Sequence, residues 1–276
     1  EFVLPSLIAQ GPEYFYVWIC WRADERSNPI VQEFQRTLEG VQFLKSIHTF
    51  GGIPFWDDKY DDKTASQRLL RTLEISLPEL KEAVGDAEYV LVSIQPSDDM
   101  YLSDTRQRLQ EKFLQLLEKE PENTRRAVGF LKGYIMCYNN KEVAEYNTDT
   151  SPPFFTILFP GETFLDPQKH YNHIGPYTSH EFISEHMNYL PLEGRGFVVG
   201  THGENISTVY DHRYKGRVLT KEEQEDILIM TNTWNAQPLT FTPSARLRIR
   251  TLVNRLPFRQ QLKDIYYSLP VKLRKI

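Results

Sequence analysis

The chain has only two cysteines among its 276 residues, and it has no long apolar run. Cys20 and Cys137 lie in apolar segments and form no spaced pair, so we expect buried thiols, with a single disulfide as the alternative. No segment reaches the roughly 20 apolar residues that a membrane-spanning helix needs. These absences exclude a disulfide-rich secreted domain and an integral membrane protein. They favour a cytoplasmic protein that is soluble or bound peripherally to a membrane.

The chain also has no excess of positive charge. The net charge of −5 and the isoelectric point of about 5.9 argue against a general nucleic-acid binder, so we expect no nucleic-acid partner. The chain contains no internal repeat and no low-complexity tract. Its 40% hydrophobic and 13% aromatic residues are sufficient for a folded core. We therefore expect one large domain, or one domain with an extension.

Residues 87 to 100 join an apolar run to a turn that carries two adjacent carboxylates. The run has the length and β-branched content of a strand buried on both faces, as in the centre of a parallel sheet. Ligands of open α/β sheets bind beyond the carboxyl ends of such strands. Asp98 and Asp99 would then lie where a divalent cation and a phosphate meet. The alternative is an exposed acidic turn that caps the next helix.

Helical and strand-like patterns alternate along the first 200 residues. The pattern predicts a short helix at the start, one opened by Asn28-Pro29, one that begins at Thr64 and one capped by Ser103 or Asp104. Strands are predicted at residues 14–21, 48–50, 87–95, 127–138, 154–159 and 197–201. A polar, hairpin-like segment joins the fourth and fifth of these strands, which predicts antiparallel pairing and a mixed sheet.

Six of the seven histidines lie between residues 170 and 212. A two-histidine zinc helix needs a spacing of four, whereas His180 and His186 are six apart. Loop or surface positions are expected for His170, His173, His186 and His212. His202 differs, because it follows a strand in the segment THGEN, whose glycine permits close approach of a ligand to the backbone. Its imidazole could complete a metal site begun by Asp98, with an ordinary loop position as the alternative.

The carboxyl-terminal stretch changes character. Between Ser244 and Lys275, nine basic residues accompany a single acid, Asp264, with apolar residues interleaved. Such a segment can form basic amphipathic helices that lie on an anionic membrane surface. The alternative is a helical extension packed on the preceding domain with its basic side in water.

Seven segments, taken in order, resemble the rhamnosyltransferase-type glycosyltransferases, which have the GT-A fold. They are FVLPSLIAQ, YVWICWRAD, EYVLVSIQPSDDMY, VGFLKGYIM, SPPFFTILFP, GPYTSHEFI and FVVGTHGENIS. The resemblance spans roughly residues 1 to 220. It implies a GT-A-like, Rossmann-type mixed sheet flanked by helices over residues 1–240, and a helical basic extension over residues 241–276. If the chain begins at Glu1, the first strand usual in this fold is missing.

The resemblance also implies an activity. Such an enzyme moves a sugar from a nucleotide-diphosphate donor to a hydroxyl of a carbohydrate or lipid-linked acceptor, with inversion and with the help of Mn²⁺ or Mg²⁺. Asp24 corresponds to the acid near the nucleobase. Glu181 in SHEFI corresponds to the acid near the acceptor, where it would accept the proton of the attacking hydroxyl.

The acidic turn departs from the pattern of these enzymes at one position. The metal-holding Asp-x-Asp signature maps to residues 96–98, where Pro96 occupies the first acidic position and cannot bind a metal. Asp98 keeps the second position and Asp99 follows it, so both are expected at the donor, with the metal held by Asp98 and His202. Two alternatives stay open: a metal-dependent phosphoester hydrolase, and a catalytically inactive binding or scaffold module.

Overall fold

The computed structural model describes residues 2–11, 15–42, 44–51, 65–148, 155–174, 187–202, 210 and 216–239. Seven α-helices and eight strands lie in these ranges, with a 3₁₀ turn at Ala23–Glu25. The helices are α1 Val3–Ile8, α2 Pro29–Glu39, α3 Ala65–Val84, α4 Thr105–Lys119, α5 Gly161–Phe164, α6 Pro167–Ile174 and α7 Lys221–Met230. The strands are β1 Phe15–Trp21, β2 Leu44–Phe50, β3 Tyr89–Ser93, β4 Met100–Tyr101, β5 Arg126–Cys137, β6 Glu142–Asn147, β7 Phe155–Pro160 and β8 Asn188–Thr201.

The main sheet is mixed and has six strands in the order β3-β7-β5-β8-β4, with β6 paired to the second half of β5. β5 and β8 run parallel, and every other pairing in this sheet is antiparallel. β1 and β2 form a separate parallel pair. The expected mixed α/β architecture and the antiparallel pairing of β5 with β7 are therefore confirmed. The sheet is curled into a half-barrel.

One prediction about β3 is wrong. Within the described residues β3 is an edge strand, antiparallel to β7, and not the central strand of a parallel sheet. Val90 and Val92 pack against the cluster around Phe159, whereas Leu91 points the other way and is 40% exposed. The apolar run indicated burial on both faces, but among the described residues this strand has a neighbour on one side only, and its side chains are half-buried or exposed.

A short link joins β3 and β4 across the curled sheet. These two strands are the opposite edges of the sheet, and only residues 94–99 join them. Across a flat sheet the edges would lie about 19 Å apart, from four strand spacings of roughly 4.8 Å. The curl brings the two edges closer together than this and leaves room for a turn in the link. Tyr101 of β4 accordingly donates a hydrogen bond to the carbonyl of Ile94 just after β3, at 2.5 Å.

Helices cover both faces of the curled sheet. On one face, Leu109 and Phe113 of α4 pack against β5 and β8. On the other, Leu80 of α3 and the short helices α5 and α6 pack against β7. α4 begins after Asp104 as expected, but this side chain makes no cap hydrogen bond and instead pairs with Arg108 at 3.3 Å.

Cysteine and histidine positions differ from expectation. Both thiols are free, so the two cysteines form no disulfide. Cys137 is half-buried, whereas Cys20, near the end of β1, is exposed. His170 is buried, not at the surface, because α6 directs its imidazole Nδ1 to the carbonyl of Phe164 at 3.1 Å.

Several predictions concern residues outside the described ranges: Glu181, His180, His186, His212 and the basic extension of residues 241–276. The division at residue 240 therefore stays a prediction. Among the described helices, none combines the length and the apolar character that crossing a bilayer requires.

The buried imidazole of His170 makes the stability pH-dependent. Burial lowers its pKa to about 4 from an ordinary value near 6.5. The unfolded chain therefore takes up a proton below about pH 6.5 that the folded chain refuses until about pH 4, so stability falls as the pH drops through this window. Between pH 7 and pH 5 we expect a loss of about 2 kcal/mol from this residue.

The comparison uses His170→Asn, which keeps a donor for the Phe164 carbonyl but does not titrate. Urea denaturation at pH 7 and pH 5 should show a smaller loss in the variant by about that 2 kcal/mol. The neighbouring His173 titrates in both proteins, so the comparison removes only the titration of His170 and the charge repulsion between the two imidazoles. Equal losses would show that His170 is charged as easily in the folded chain as in the unfolded one.

Candidate functional site

The parallel pairing of β5 and β8 places two aromatic rings side by side. Cys137 lies opposite Thr201 at the carboxyl ends of these strands, so Tyr138 and His202 are the next residues on each. Their rings lie nearly parallel with centroids 6.5 Å apart. On its other side Tyr138 stacks on Phe2 at 3.9 Å. The imidazole of His202 thus stands at the end of a packed aromatic row.

The link of residues 94–99 passes over these strand ends. The hydroxyl of Tyr138 donates to the backbone carbonyl of Asp98 at 2.5 Å. The side-chain amide of Gln95 donates to the carbonyls of Pro96 and Asp99, at 2.9 and 2.6 Å. Burial raises the pKa of Tyr138 well above its ordinary range, with Asp99 and Asp98 adding to the shift, so the hydroxyl remains a donor. The turn is therefore held from both ends.

Asp98 and His202 face each other in this site. Their closest atoms, Asp98 Oδ2 and His202 Nε2, are 3.6 Å apart, and each side chain is roughly one quarter exposed, at 27% and 29%. Burial raises the pKa of Asp98, and the nearby His202 opposes that shift. The structure thus brings together the two residues that were predicted as metal ligands. Metal binding itself stays a prediction.

Asp99 has a different environment from its neighbour. It is 6% exposed, and its Oδ1 accepts a hydrogen bond from the backbone N–H of Gly200 at 2.9 Å. Burial raises its pKa to about 8, the charge of Asp98 adds to the shift, and the bond from Gly200 opposes it. The two adjacent carboxyl groups therefore point in different directions. Asp98 faces the imidazole of His202 near solvent, and Asp99 faces the backbone of β8.

Asp24 lies in another part of the fold. It follows β1, at the carboxyl end of the smaller parallel pair, and its side chain is 65% exposed and paired with Arg22 at 2.5 Å. An aromatic group stands beside it, in which the indole of Trp21 donates to His48 Nδ1 at 2.9 Å. Asp24 and Asp98 thus lie at the ends of strands that belong to different sheets.

Sequence reasoning missed the residues that support the pair. Tyr138, Gly200, Gln95 and Phe2 were not predicted as site residues, although Tyr138 ends one predicted strand and Gly200 is the next-to-last residue of another. That the two strand ends are neighbours can be recognised only once the pairing of β5 with β8 is known. Nothing in the sequence marks Phe2.

The described residues place two candidate metal ligands here and no group of three. No set of three or more histidine, cysteine or carboxylate side chains within them is placed to hold an ion. Magnesium-type sites are often built from one or two carboxylates with water and substrate phosphates completing the shell. A cation at this site would take its other ligands from such sources.

Comparison with known proteins adds no family to this picture: no family model, no curated protein and no solved structure matches the chain. Function is therefore inferred from the site and from the segments that resemble glycosyltransferases.

Gly200 has no room for a side chain. A Cβ at this position would lie 1.9 Å from the carbonyl oxygen of Asp98 and 2.3 Å from the hydroxyl of Tyr138. Gly200→Ala must therefore push the acidic turn away from β8, and overpacking of this kind costs about 1–3 kcal/mol. Denaturant unfolding should show this loss.

Gly40→Ala is the matched control for that measurement. Gly40 follows the last residue of α2 with a φ of −73°, and an added Cβ would lie 3.5 Å from the carbonyl oxygen of Thr37, an ordinary van der Waals distance. We expect a change within about 0.5 kcal/mol. If Gly200→Ala and Gly40→Ala are equally stable, the acidic turn does not lie as close to β8 as the structure indicates.

Proposed function

We propose that this chain is a glycosyltransferase that moves a sugar from a nucleotide-diphosphate donor to a hydroxyl acceptor, with a divalent cation and with inversion. The observation that carries the proposal is the pairing of the Asp98 carboxylate with the His202 imidazole beyond the carboxyl ends of two parallel strands. That is the edge at which α/β sheets bind ligands. The segments that resemble rhamnosyltransferase-type enzymes contribute both of these residues.

The two side chains fit a divalent ion. One ion bonded at about 2.1 Å to each can join donor atoms up to about 4.2 Å apart, and the observed separation is 3.6 Å. A carboxylate oxygen suits Mg²⁺ and Mn²⁺, and an imidazole nitrogen favours Mn²⁺ of the two. When bound, the cation neutralises charge that develops on the leaving diphosphate. Asp98 and His202 would fix the position of that charge.

Other roles follow from the resemblance. Glu181 would accept the proton of the acceptor hydroxyl as the hydroxyl attacks. Asp24 would contact the nucleobase, which requires its carboxylate to exchange or share its contact with Arg22. The basic segment from Ser244 onward would contact a membrane that holds a lipid-linked acceptor.

We propose the GT-A-like arrangement for residues 1–240 on the same basis. The support is a mixed sheet flanked by helices, with the candidate site at the carboxyl ends of a parallel pair. The strand order and the single parallel pair of the main sheet depart from a doubly wound sheet, in which parallel strands predominate.

Calorimetric titration tests this function. We expect one of UDP, GDP and dTDP to bind in the presence of Mn²⁺. Binding should weaken at least about tenfold without the metal, and equally in Asp98→Ala, which lacks one of the two proposed metal ligands. Asp86→Ala is the control, since it removes an exposed carboxylate at the opposite end of β3. Its affinity should equal that of the wild type.

Two results would change the assignment. If none of the three nucleotides binds, the substitution of proline at position 96 marks a binding module without activity. If a nucleotide binds but a nucleotide sugar is cleaved equally fast with and without acceptor, the site is that of a phosphoester hydrolase.

A further inference from the structure

One hydrogen bond ties together the two chain segments that carry Asp98 and His202. Asp99 directly follows Asp98, and Gly200 lies two residues before His202. The bond from the Gly200 N–H to Asp99 Oδ1 measures 2.9 Å, and Asp99 is 6% exposed. Both candidate ligands therefore lie within two residues of a buried hydrogen bond from the backbone of one segment to the Asp99 side chain of the other.

We propose that Asp99 is a positioning residue that fastens the acidic turn to the end of β8 and so sets the distance between Asp98 and His202. Its role differs from that of a donor-binding or metal-binding group, because its carboxyl oxygen is directed to the backbone of β8. The consequence for metal affinity rests on the proposed function, whereas the fastening itself does not.

Two contacts hold the acidic turn, one on each strand. The hydroxyl of Tyr138, the residue after β5, donates to the carbonyl of Asp98 at 2.5 Å. The bond between Asp99 and the Gly200 N–H joins the turn to β8, where Gly200 approaches the same carbonyl so closely that a Cβ would meet it at 1.9 Å. Without an acceptor at position 99 this second bond is lost, and the turn can relax away from β8.

Asp99→Asn and Asp99→Ala separate positioning from direct binding. The asparagine keeps a side-chain oxygen that accepts the bond from Gly200 but cannot carry a negative charge, whereas the alanine removes the acceptor. A positioning residue is rescued by asparagine. A carboxylate that binds a cation directly is not, because a neutral amide is a much weaker ligand for it.

Thr105→Val is the matched control. Thr105 is 1% exposed, and its hydroxyl donates to the carbonyl of Gly196 on the same strand at 2.5 Å. The variant therefore removes a buried side-chain bond to β8 away from the candidate ligands. General loosening of β8 would affect Thr105→Val and Asp99→Ala alike.

The first measurement needs no metal. Labelling with ¹³C-carbonyl valine and ¹⁵N-glycine isolates three amides, those of Gly85, Gly129 and Gly200, because only these glycines follow valine. We expect hydrogen exchange at Gly200 to be slow in the wild type, Asp99→Asn and Thr105→Val, and at least about tenfold faster in Asp99→Ala, because the amide loses its buried acceptor. Gly85 and Gly129 should be unchanged in all four proteins.

The second measurement is titration with Mn²⁺, with free metal followed by electron paramagnetic resonance. Changes to residues that orient metal ligands cost about 10- to 100-fold in affinity, and we expect a loss of this size for Asp99→Ala. Asp99→Asn should remain within about threefold of the wild type, as expected when the orienting bond is kept. Thr105→Val should bind Mn²⁺ as the wild type does.

The outcomes separate the two proposals. Unchanged exchange at Gly200 in Asp99→Ala overturns the inference, as does a loss of Mn²⁺ affinity in Asp99→Asn as large as in Asp99→Ala. If the wild type binds no Mn²⁺, the proposed function fails, and exchange at Gly200 alone then decides whether Asp99 fastens the turn.

Discussion

The parallel pairing of β5 and β8 is the constraint on which the rest of this structure depends. Because the two strands run in the same direction, their carboxyl ends meet at one edge of the sheet, and the residues that follow them become neighbours. Tyr138 and His202 face each other for this reason alone. The other pairings of the main sheet are antiparallel and place the end of one strand beside the start of another. In the described part of the main sheet, the carboxyl ends of two neighbouring strands meet only here, and the acidic turn lies over them.

The short link between β3 and β4 gives the site its second half. It joins opposite edges of the sheet, so it must cross the ends of the strands between them. The same crossing brings Asp98 over the end of β8. The hydrogen bonds made by Gln95, Tyr138 and Asp99 then fix the turn at a particular height above the sheet.

Local pattern was sufficient to predict most elements of this fold, but not their neighbours. Helix signals such as Asn28-Pro29 and apolar runs such as that of β5 depend on nearby residues, and both elements occur where expected. Whether a strand is central or at an edge depends on pairing with distant residues, so the run in β3 was assigned to the wrong place. β6 was missed because its alternating polar residues resembled a hairpin connection.

For the candidate site, too, some features could be predicted from the sequence and others could not. Asp98 and His202 could be predicted together, because each follows an apolar run and ligands collect at strand ends. The different directions of Asp98 and Asp99 could not, since the direction of adjacent side chains in a turn is set by the turn's own hydrogen bonds. The burial of His170 was missed for a similar reason: its partner is a backbone carbonyl, which no sequence pattern reveals.

These directions bear on the proline at position 96. The carbonyl of Pro96 accepts bonds from the Gln95 side chain and, at 3.4 Å, from the Asp99 N–H. Position 96 thus contributes to the shape of the turn through its backbone and has no carboxylate to offer a cation. The side chain that faces Asp98 is the imidazole of His202, the residue after β8. For the cation that we propose, the parallel strand pair therefore places a candidate ligand of a second type within reach of Asp98.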